Sequence, residues 1–329
     1  MCRLRSTKRL RLLPDKGELA SVKKRQIAIL LACVLLIGMG LFGCIKAEPQ
    51  RIGIVSAMDN EVALLLKEAK IERVDTFGGV DFHVGTLEGQ PVVIMRSGIG
   101  KVLSASALTA MLNRYSISRV IFTGIAGGVG DETNVLDQVI ATRLVQHDYG
   151  TMTNDGFVWE TGVTGEAKGE KGFYFCDSEL VDLAYECAVQ VIGKEHVFKG
   201  TIATGDQFIA SEAYVKTLQA QFDAIACEME GASVAAVCAQ YEIPFVVIRA
   251  MSDKADGNAH DGVENMGDLA ADNSSRIVMQ MLGAMGKKGN HRYMKKSRRK
   301  RSACGDVLSV CYILLCIRSK NASVVLAHE

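Results

Sequence analysis

The 329-residue sequence lacks the patterns that indicate a bound metal or a disulfide framework. Its ten cysteines are scattered, with no C-x-x-C pair and no Cys/His cluster of metal-ligand spacing. These absences argue against a structural zinc site and against a disulfide-stabilised fold. Cys187, Cys227 and Cys238 lie within apolar segments, where we expect small buried hydrophobic side chains.

The central part of the chain also lacks phosphate-binding glycine motifs and basic surface. Between residues 51 and 285 there is no G-x-G-x-x-G and no Walker A pattern. Residues 1–26 carry nine Lys and Arg and residues 286–329 carry eleven, each against two acidic residues, which leaves 18 basic and 33 acidic residues between them. A body this acidic argues against nucleic acid as a partner, because phosphate binding needs basic surface.

The N-terminal 44 residues have the layout of a bacterial lipoprotein signal peptide. Lys23-Lys24-Arg25 precedes a 17-residue apolar run from Ile27 to Gly43, and Cys44 follows. The stretch Leu41-Phe42-Gly43-Cys44 resembles a lipobox, whose cysteine receives lipid and becomes the mature N-terminus. An uncleaved transmembrane segment is the alternative, although the run is at the short limit for crossing about 30 Å of hydrocarbon. Both interpretations predict a membrane-anchored, extracytoplasmic protein, the first of them through a lipid anchor on Cys44.

The rest of the chain divides into a linker, a folded domain and a basic tail. We assign residues 45–50 to the linker, 51–285 to the domain and 286–329 to the tail, which contains a basic run at 295–301. We expect the tail to be disordered; a basic segment that lies on a membrane surface is the alternative.

Within residues 51–285, apolar runs of strand length alternate with helical patterns. Strands are predicted at 51–57, 91–96, 119–123, 138–142, 197–204, 224–227 and 244–250, and helices at 59–70, 101–115, 178–192, 211–222, 231–241 and 265–285. The alternation predicts a single three-layer α/β/α domain with a mixed, largely parallel central sheet. Ligands of such sheets bind beyond the carboxyl ends of the strands, and carboxylates and glycines follow several of these strands.

Each residue that follows one of these strands has an ordinary structural explanation when it is taken alone. Glu61 falls in the first turn of a predicted helix, whose dipole favours the ionised carboxylate. Asp253 follows Ser252 and fits a helix N-cap or a loop carboxylate. Met58 and Phe208 would by default be ordinary core residues. No single residue therefore identifies a site.

Six motifs, taken in order, are more specific. They are Gly53-Ile-Val-Ser-Ala-Met-Asp-Asn-Glu61, Ser97-Gly-Ile-Gly-Lys-Val102, Thr123-Gly-Ile-Ala-Gly-Gly128, Gly205-Asp-Gln-Phe-Ile209, Glu228-Met-Glu-Gly-Ala232 and Arg249-Ala-Met-Ser-Asp253. Together they resemble the nucleoside phosphorylase superfamily, and most closely its 5′-methylthioadenosine/S-adenosylhomocysteine nucleosidases. The resemblance covers residues 51 to about 285 and implies the nucleoside phosphorylase-like fold.

The resemblance also implies an activity. Such an enzyme hydrolyses the N-glycosidic bond of 5′-methylthioadenosine or S-adenosylhomocysteine, releasing adenine and a 5′-substituted ribose; 5′-deoxyadenosine and a deoxyfutalosine-type nucleoside also fit the motifs. No metal or organic cofactor is implied. Relatives are commonly homodimers, so we expect a homodimer that binds a small-molecule nucleoside.

The resemblance assigns three carboxylates. Asp253, held by Ser252, matches the general acid that protonates adenine N7, a step that contributes about 10²–10⁴-fold to the rate. Glu61 matches the base that deprotonates the water attacking C1′, and Glu230 matches the carboxylate that binds the ribose hydroxyls. For Glu228 two roles stay open: ordering the water or the ribose, or a satisfied structural carboxylate.

Other residues are assigned to the substrate pocket. Phe208 would stack on adenine, and the Ile209 backbone would bond its edge. The remaining residues are Ala126 and Gly127 on the floor, Met58, Ile99, Met229 and Met266 around the 5′-thioether, and Arg249 in the last motif. Two positions depart from the family pattern, because Ile125 stands where many relatives have serine and Met266 where an aromatic residue often closes the 5′ pocket. The preferred 5′ group is therefore left open.

Two other functions are compatible with parts of this pattern. A purine nucleoside phosphorylase would use phosphate in place of water, but the Glu61 carboxylate would repel phosphate. A catalytically inactive nucleoside-binding lipoprotein would have no need of an acid, a base and a ribose carboxylate together. We therefore expect the hydrolase.

Overall fold

The computed structural model describes residues 49–160 and 172–286. The lipoprotein-type leader with Cys44, most of the 45–50 linker and the basic tail lie outside the described residues. Within the described ranges, no helix is both long and apolar enough to cross a membrane.

The described residues form strands and helices that alternate over most of the chain. The strands are β1 (Arg51–Ser56), β2 (Lys70–Phe77), β3 (Val80–Leu87), β4 (Gln90–Arg96), β5 (Ile117–Gly128), β6 (Gln138–Gln146), β7 (Gly150–Thr153), β8 (Gly156–Trp159), β9 (Phe173–Phe175), β10 (Val197–Thr204), β11 (Ala224–Glu228) and β12 (Phe245–Asp253). The helices are α1 (Asp59–Glu68), α2 (Lys101–Arg114), α3 (Ser178–Ile192), α4 (Glu212–Phe222), α5 (Gly231–Gln240) and α6 (259–286).

A mixed ten-stranded sheet forms the centre of the domain. Its strand order is β11-β10-β6-β12-β5-β1-β4-β3-β2, and β9 pairs with β6. β1 is parallel to β4 and β5, β12 is parallel to β5, and β10 is parallel to β6 and β11, whereas β12 runs antiparallel to β6. β11 also pairs antiparallel with the end of β5, through Ala226 opposite Gly128 and Cys227 opposite Gly127. This pairing closes five strands into a ring and brings the carboxyl ends of β5 and β11 together.

Helices cover both faces of this sheet. In β1, Ile54 points into a cluster with Leu65 of α1 and residues of α3 and α6, while Val55 points into a cluster with Leu108 of α2 and residues of α5. Successive side chains of a strand face opposite sides, so a strand buried on both faces reads as a continuous apolar run. The predicted three-layer α/β/α fold with a mixed sheet is confirmed.

Several predicted boundaries are right, and others are wrong for identifiable reasons. The helix at 178–192 and the strand at 197–204 match α3 and β10. α1 ends at Glu68, and Lys70 already belongs to β2. The β2–β3 hairpin was not predicted, because the mostly exposed β2 lacks the apolar alternation of a half-buried strand. The short strands β7, β8 and β9 were also missed.

Two differences in element length affect the site. β5 continues to Gly128, five residues beyond its predicted end, because its glycine-rich segment pairs with β12 and β11. α6 begins at residue 259 rather than at 265. β5 presents the predicted Ala126 and Gly127 to the cavity together with Ile125, whereas α6 presents Val263 and not Met266.

Candidate active site

A cleft with about 650 Å³ of space, open to solvent, lies where the ends of β1, β5, β11 and β12 meet the loop after β10. The lining residues are Ala57, Met58, Glu61, Ile99, Ile125, Ala126, Gly127, Gln207, Phe208, Ile209, Cys227, Glu228, Met229, Glu230, Ser252, Asp253 and Val263. Most of the predicted site residues are thus brought together; Arg249 and Met266 are not among the lining residues.

Glu61 is buried and held by the backbone on both sides of its carboxylate. Oε2 accepts hydrogen bonds from the backbone N–H groups of Ala57 at 2.7 Å and Met58 at 2.9 Å, and Oε1 accepts one from Ile125 at 2.8 Å. Burial raises the pKa of Glu61 above its ordinary value, against the charge of Arg249 and these three bonds. The sequence predicted a carboxylate favoured in its ionised form by the helix dipole, and burial overrides that effect.

Glu228 and Arg249 form a buried ion pair beside the cavity. Arg249 is fully buried, its Nη2 bonds Glu228 Oε2, and its guanidinium lies 4.0 Å from the centre of the Phe122 ring. Glu228 also accepts hydrogen bonds from the Thr204 hydroxyl and from the backbone N–H of Gly231 at 2.7 Å. Arg249 was predicted to bind substrate, but it is not among the lining residues; its guanidinium contacts Glu228 and the Phe122 ring.

Glu230 is the N-cap residue of α5 and faces the cavity. Its Oε1 accepts a hydrogen bond from the backbone N–H of Gly100 at 2.7 Å, at the start of α2, and its Oε2 lies 3.6 Å from Arg249 Nη2. Burial, followed by the charge of Glu228, raises the pKa of Glu230 to about 8. The Glu230 carboxylate therefore reaches the cavity from between two helix N-termini.

Asp253 ends β12 directly opposite Gly127 of β5. Ser252 Oγ donates a hydrogen bond to Asp253 Oδ2 at 2.8 Å, and the backbone N–H of Ala255 donates one to Oδ1 at 2.7 Å. Burial raises the pKa of Asp253, while the two hydrogen bonds oppose the change. The predicted role of Ser252 as the residue that holds Asp253 agrees with this geometry.

The apolar walls of the cavity come from three segments. Phe208 is 43% exposed and stacks on His260, with ring centroids 4.5 Å apart, and Ile99 is 52% exposed at the start of α2. Val263 lines the cavity, whereas the predicted Met266 is not among the lining residues. Val263 lies in the second turn of α6, in a part of the chain that the sequence had assigned to the loop before the helix.

Five further lining residues were not among the predicted site residues: Ala57, Ile125, Gln207, Cys227 and Val263. Ala57, Gln207 and Cys227 are sequence neighbours of predicted residues, and that adjacency was the available signal. Burial raises the pKa of the Cys227 thiol, so this thiol is an unreactive part of the wall. For Val263 the sequence held no signal beyond its apolar character.

The cavity wall is acidic and carries no cationic side chain in the described part of the chain. No Lys or Arg is among its lining residues, whereas Glu61, Glu228, Glu230 and Asp253 all are. Among the described residues, no group of three or more His, Cys, Asp or Glu side chains is placed to hold a metal ion. The arrangement is suited to proton transfer and to binding hydroxyl groups, and it disfavours anions.

Fold and site together define the class: a three-layer α/β protein whose acidic cavity lies at strand ends. The family model of the phosphorylase superfamily matches residues 51–283. The 5′-methylthioadenosine/S-adenosylhomocysteine nucleosidase of Anoxybacillus flavithermus is 39% identical over 237 residues, which are 72% of this chain and 99% of the relative.

Two solved structures are also similar. The nucleosidase of the same name from Neisseria meningitidis, in complex with methylthio-immucillin-A, has a TM-score of 0.65 and 32% identity over 72% of this chain and 100% of its own. A futalosine hydrolase of Helicobacter pylori has a TM-score of 0.62 and 32% identity over 71% and 97%. The chain belongs to the phosphorylase superfamily and, within it, to the 5′-methylthioadenosine/S-adenosylhomocysteine nucleosidase family.

Proposed function

We propose that the protein hydrolyses the N-glycosidic bond of 5′-methylthioadenosine and S-adenosylhomocysteine, releasing adenine and the 5′-substituted ribose. The observation that carries the proposal is the convergence of Glu61, Glu230 and Asp253 on one cavity. The 39% identity to a nucleosidase of that name, across 99% of its length, supports the same activity.

Asp253 is the general acid of this reaction. Burial raises its pKa above the ordinary value, which favours the protonated form that an acid needs, and Ser252 and Ala255 fix its orientation. It gives its proton to adenine N7 as the C1′–N9 bond breaks, so that adenine leaves as a neutral base. Positioned acids of this kind contribute about 10²–10⁴-fold.

Glu61 is the general base. Three backbone hydrogen bonds hold it in place, and burial strengthens it as a base by raising its pKa. It takes one proton from the water whose oxygen bonds to C1′, and Glu230 binds the ribose hydroxyls. Phe208 supplies the face on which adenine stacks, beside the backbone of Ile209.

The phosphorylase alternative is disfavoured by the charge of the cavity. An attacking phosphate would meet the carboxylates of Glu61 and Glu228 without a lining Lys or Arg to neutralise it. Water carries no charge and meets no such repulsion. The hydrolytic reaction therefore fits the cavity better.

Adenine release from a panel of nucleosides tests the function. The panel contains 5′-methylthioadenosine, S-adenosylhomocysteine, 5′-deoxyadenosine and a deoxyfutalosine-type nucleoside, each with and without phosphate. We expect release of the free base at equal rates in both conditions; a sugar 1-phosphate formed only with phosphate would show a phosphorylase. Ranking the panel also identifies the 5′ group that Met58, Ile99, Met229 and Val263 prefer.

Asp253→Asn separates the enzyme from an inactive binding protein. The variant keeps the shape of the side chain and loses the acid, so hydrolysis should disappear while nucleoside binding largely remains. Wild-type protein that binds 5′-methylthioadenosine tightly without releasing adenine would instead support a nucleoside-binding lipoprotein.

We also propose that Cys44 carries a lipid anchor and that the domain lies outside the cytoplasmic membrane. The lipobox-like stretch Leu41–Cys44 after an apolar run supports this. In a bacterial host, Cys44→Ser should lose incorporated lipid and leave the membrane fraction. A variant that stays in the membrane would indicate an uncleaved transmembrane segment.

A homodimer is the third part of the proposal. Ile99, Val102 and Leu103 are 52%, 77% and 54% exposed at the start of α2, beside the cavity. Adjacent exposed apolar side chains of this kind are typical of an interface. Sedimentation should give twice the monomer mass, and Val102→Lys should shift it towards the monomer; a monomeric wild type would contradict the proposal.

A further inference from the structure

A closed ring of polar contacts joins three segments next to the cavity and is not part of the proposed chemistry. Lys101 Nζ lies 2.6 Å from Asp148 Oδ1, and Asp148 Oδ2 accepts a hydrogen bond from the backbone N–H of Asp206 at 2.8 Å. Asp206 Oδ1 in turn accepts one from the backbone N–H of Lys101 at 2.8 Å. The ring links the start of α2, the turn after β6 and the loop after β10.

Two of these segments continue directly into the cavity wall. Gly100 precedes Lys101 and donates the hydrogen bond to Glu230, the ribose carboxylate of the proposed mechanism. Residues 207–209, which follow Asp206, form the wall on which the base would stack. The ring therefore fixes the ribose side of the cavity relative to the base side.

The ring is more strongly shielded than an ordinary surface ion pair. The side chains of Lys101 and Asp148 are 17% and 14% exposed. Burial raises the pKa of Asp148, but the bonds from Lys101 and Asp206 outweigh it and leave the pKa below its ordinary value. Shielded charge-assisted hydrogen bonds are stronger than exposed ones.

Glycine at 205 allows the close approach on which the ring depends. A Cβ atom at this position would lie 2.3 Å from Nε2 of the buried His147, the residue before Asp148. The loop after β10 and the turn after β6 are therefore packed with no space for a side chain between them.

We propose that Lys101 and Asp148 are positioning residues that hold the loop of residues 207–209 at a fixed distance from Glu230, so that the base and the ribose bind in one orientation. The inference rests on the proposed nucleosidase function and assigns neither residue a contact with substrate. Losing the ring weakens nucleoside binding more than the chemical step, because Glu61 and Asp253 are held by other contacts.

Steady-state kinetics of the full-length Lys101→Met and Asp148→Asn variants test the inference. We expect KM for 5′-methylthioadenosine to rise about tenfold and kcat to fall less than about threefold, as for the loss of one charge-assisted hydrogen bond. Lys101→Arg keeps a cation within reach and should restore KM to within about threefold of wild type. The double variant should be no worse than the poorer single variant, because both remove one interaction.

Lys199→Met provides the matched control. Lys199 Nζ bonds Asp182 Oδ1 at 2.7 Å between β10 and α3, and neither residue lines the cavity. Removing this pair should leave KM and kcat unchanged. Unchanged KM in both ring variants, or a loss confined to kcat, would overturn the inference.

Two further measurements keep the outcome decisive. If Lys101→Met does not fold, Asp206→Ala removes the oxygen that accepts from the Lys101 N–H, at a side chain that is 47% exposed, and is measured in the same way. If the wild type releases adenine from none of the nucleosides, the proposed nucleosidase function is wrong, but the positioning role of the ring is still open to test. Calorimetric binding of adenine then tests the ring, with affinity expected to be about tenfold lower in Asp148→Asn; equal affinities would refute it.

Discussion

Glu61 combines deep burial with a full set of hydrogen bonds to its carboxylate. Replacing it by glutamine keeps the size of the side chain but removes the base. We expect Glu61→Gln to lower kcat by about 10²–10⁴-fold while nucleoside binding is retained, because general base catalysis contributes on this scale.

Adenine release and calorimetric binding measure these two effects. Glu68→Gln, at an exposed position of the same helix, is the control and should match wild type. A Glu61→Gln variant with more than a tenth of the wild-type kcat would contradict the assignment of the base.

Gly124 is the position at which the site tolerates no side chain. A Cβ atom there would lie 2.2 Å from Glu61 Oε1 and 2.4 Å from Arg249 Nη1. Gly124→Ala should therefore displace both groups, destabilise the fold by about 1–3 kcal/mol as overpacked cores do, and lower kcat. Thermal unfolding and adenine release would show both effects.

Gly283→Ala is the matched control for this substitution. In α6 its Cβ atom would meet only Glu88 Oε2, at an ordinary contact distance of 3.8 Å. Alanine also favours a helix more than glycine does, so the unfolding temperature should stay equal or rise slightly. Equal losses in both variants would show that Gly124 has no special packing role.

At the scale of elements, α5 explains the role of Glu228. The carboxylate accepts hydrogen bonds from the backbone N–H groups of Glu230 at 3.1 Å and Gly231 at 2.7 Å, and it pairs with Arg249 of β12. Of the two roles left open by the sequence, these contacts favour a structural carboxylate that joins β11, α5 and β12. Glu228 also lines the cavity, so its other role, ordering the water or the ribose, stays a prediction.

Glu228→Gln should therefore act mainly on stability. We expect a loss of about 1–3 kcal/mol in urea unfolding, because a charged hydrogen-bond acceptor is replaced beside a buried arginine. Asp182→Asn removes the partly exposed pair with Lys199 and should cost less than about 1 kcal/mol. A Glu228→Gln variant as stable as Asp182→Asn would contradict the structural role.

Particular elements show which parts of the fold were predictable. α3 was predicted with correct ends because its apolar periodicity is strong and Asp177 caps it through the Leu180 N–H at 2.9 Å. The extension of β5 to Gly128 was not predictable, since glycine-rich segments have low strand propensity and this one is held by pairing with β12 and β11. Met266 was assigned to the cavity wall from the family resemblance, whereas Val263 lines the cavity.

At the scale of the whole molecule, the crowded carboxylates make stability depend on pH. Folded Glu230 keeps its proton up to about pH 8, whereas the reference value for an unfolded glutamate is 4.5. The folded state therefore binds more protons between these values. This contribution is fully present below pH 4.5 and is lost as the pH rises towards 8.

Glu230→Gln removes this contribution because glutamine does not ionise. The unfolding temperature of the wild type, measured relative to the variant by calorimetry, should fall as the pH rises from 4.5 to about 8. Glu72→Gln, at an exposed position, should run parallel to wild type. A constant difference between wild type and Glu230→Gln would show that Glu230 is not protonated in the free protein.

The sequence by itself determined the alternation of strands and helices and the covered faces of the sheet, because apolar periodicity is a local property. Most residues of the cavity followed from the family resemblance that its six motifs carry. Only the tertiary structure decided that three glutamates share Arg249, that Val263 faces the cavity and that Lys101 meets Asp148, 47 residues away. Such contacts depend on strand order and on where elements end. Both are set by long-range packing, in which burial also overrides the helix dipole at Glu61.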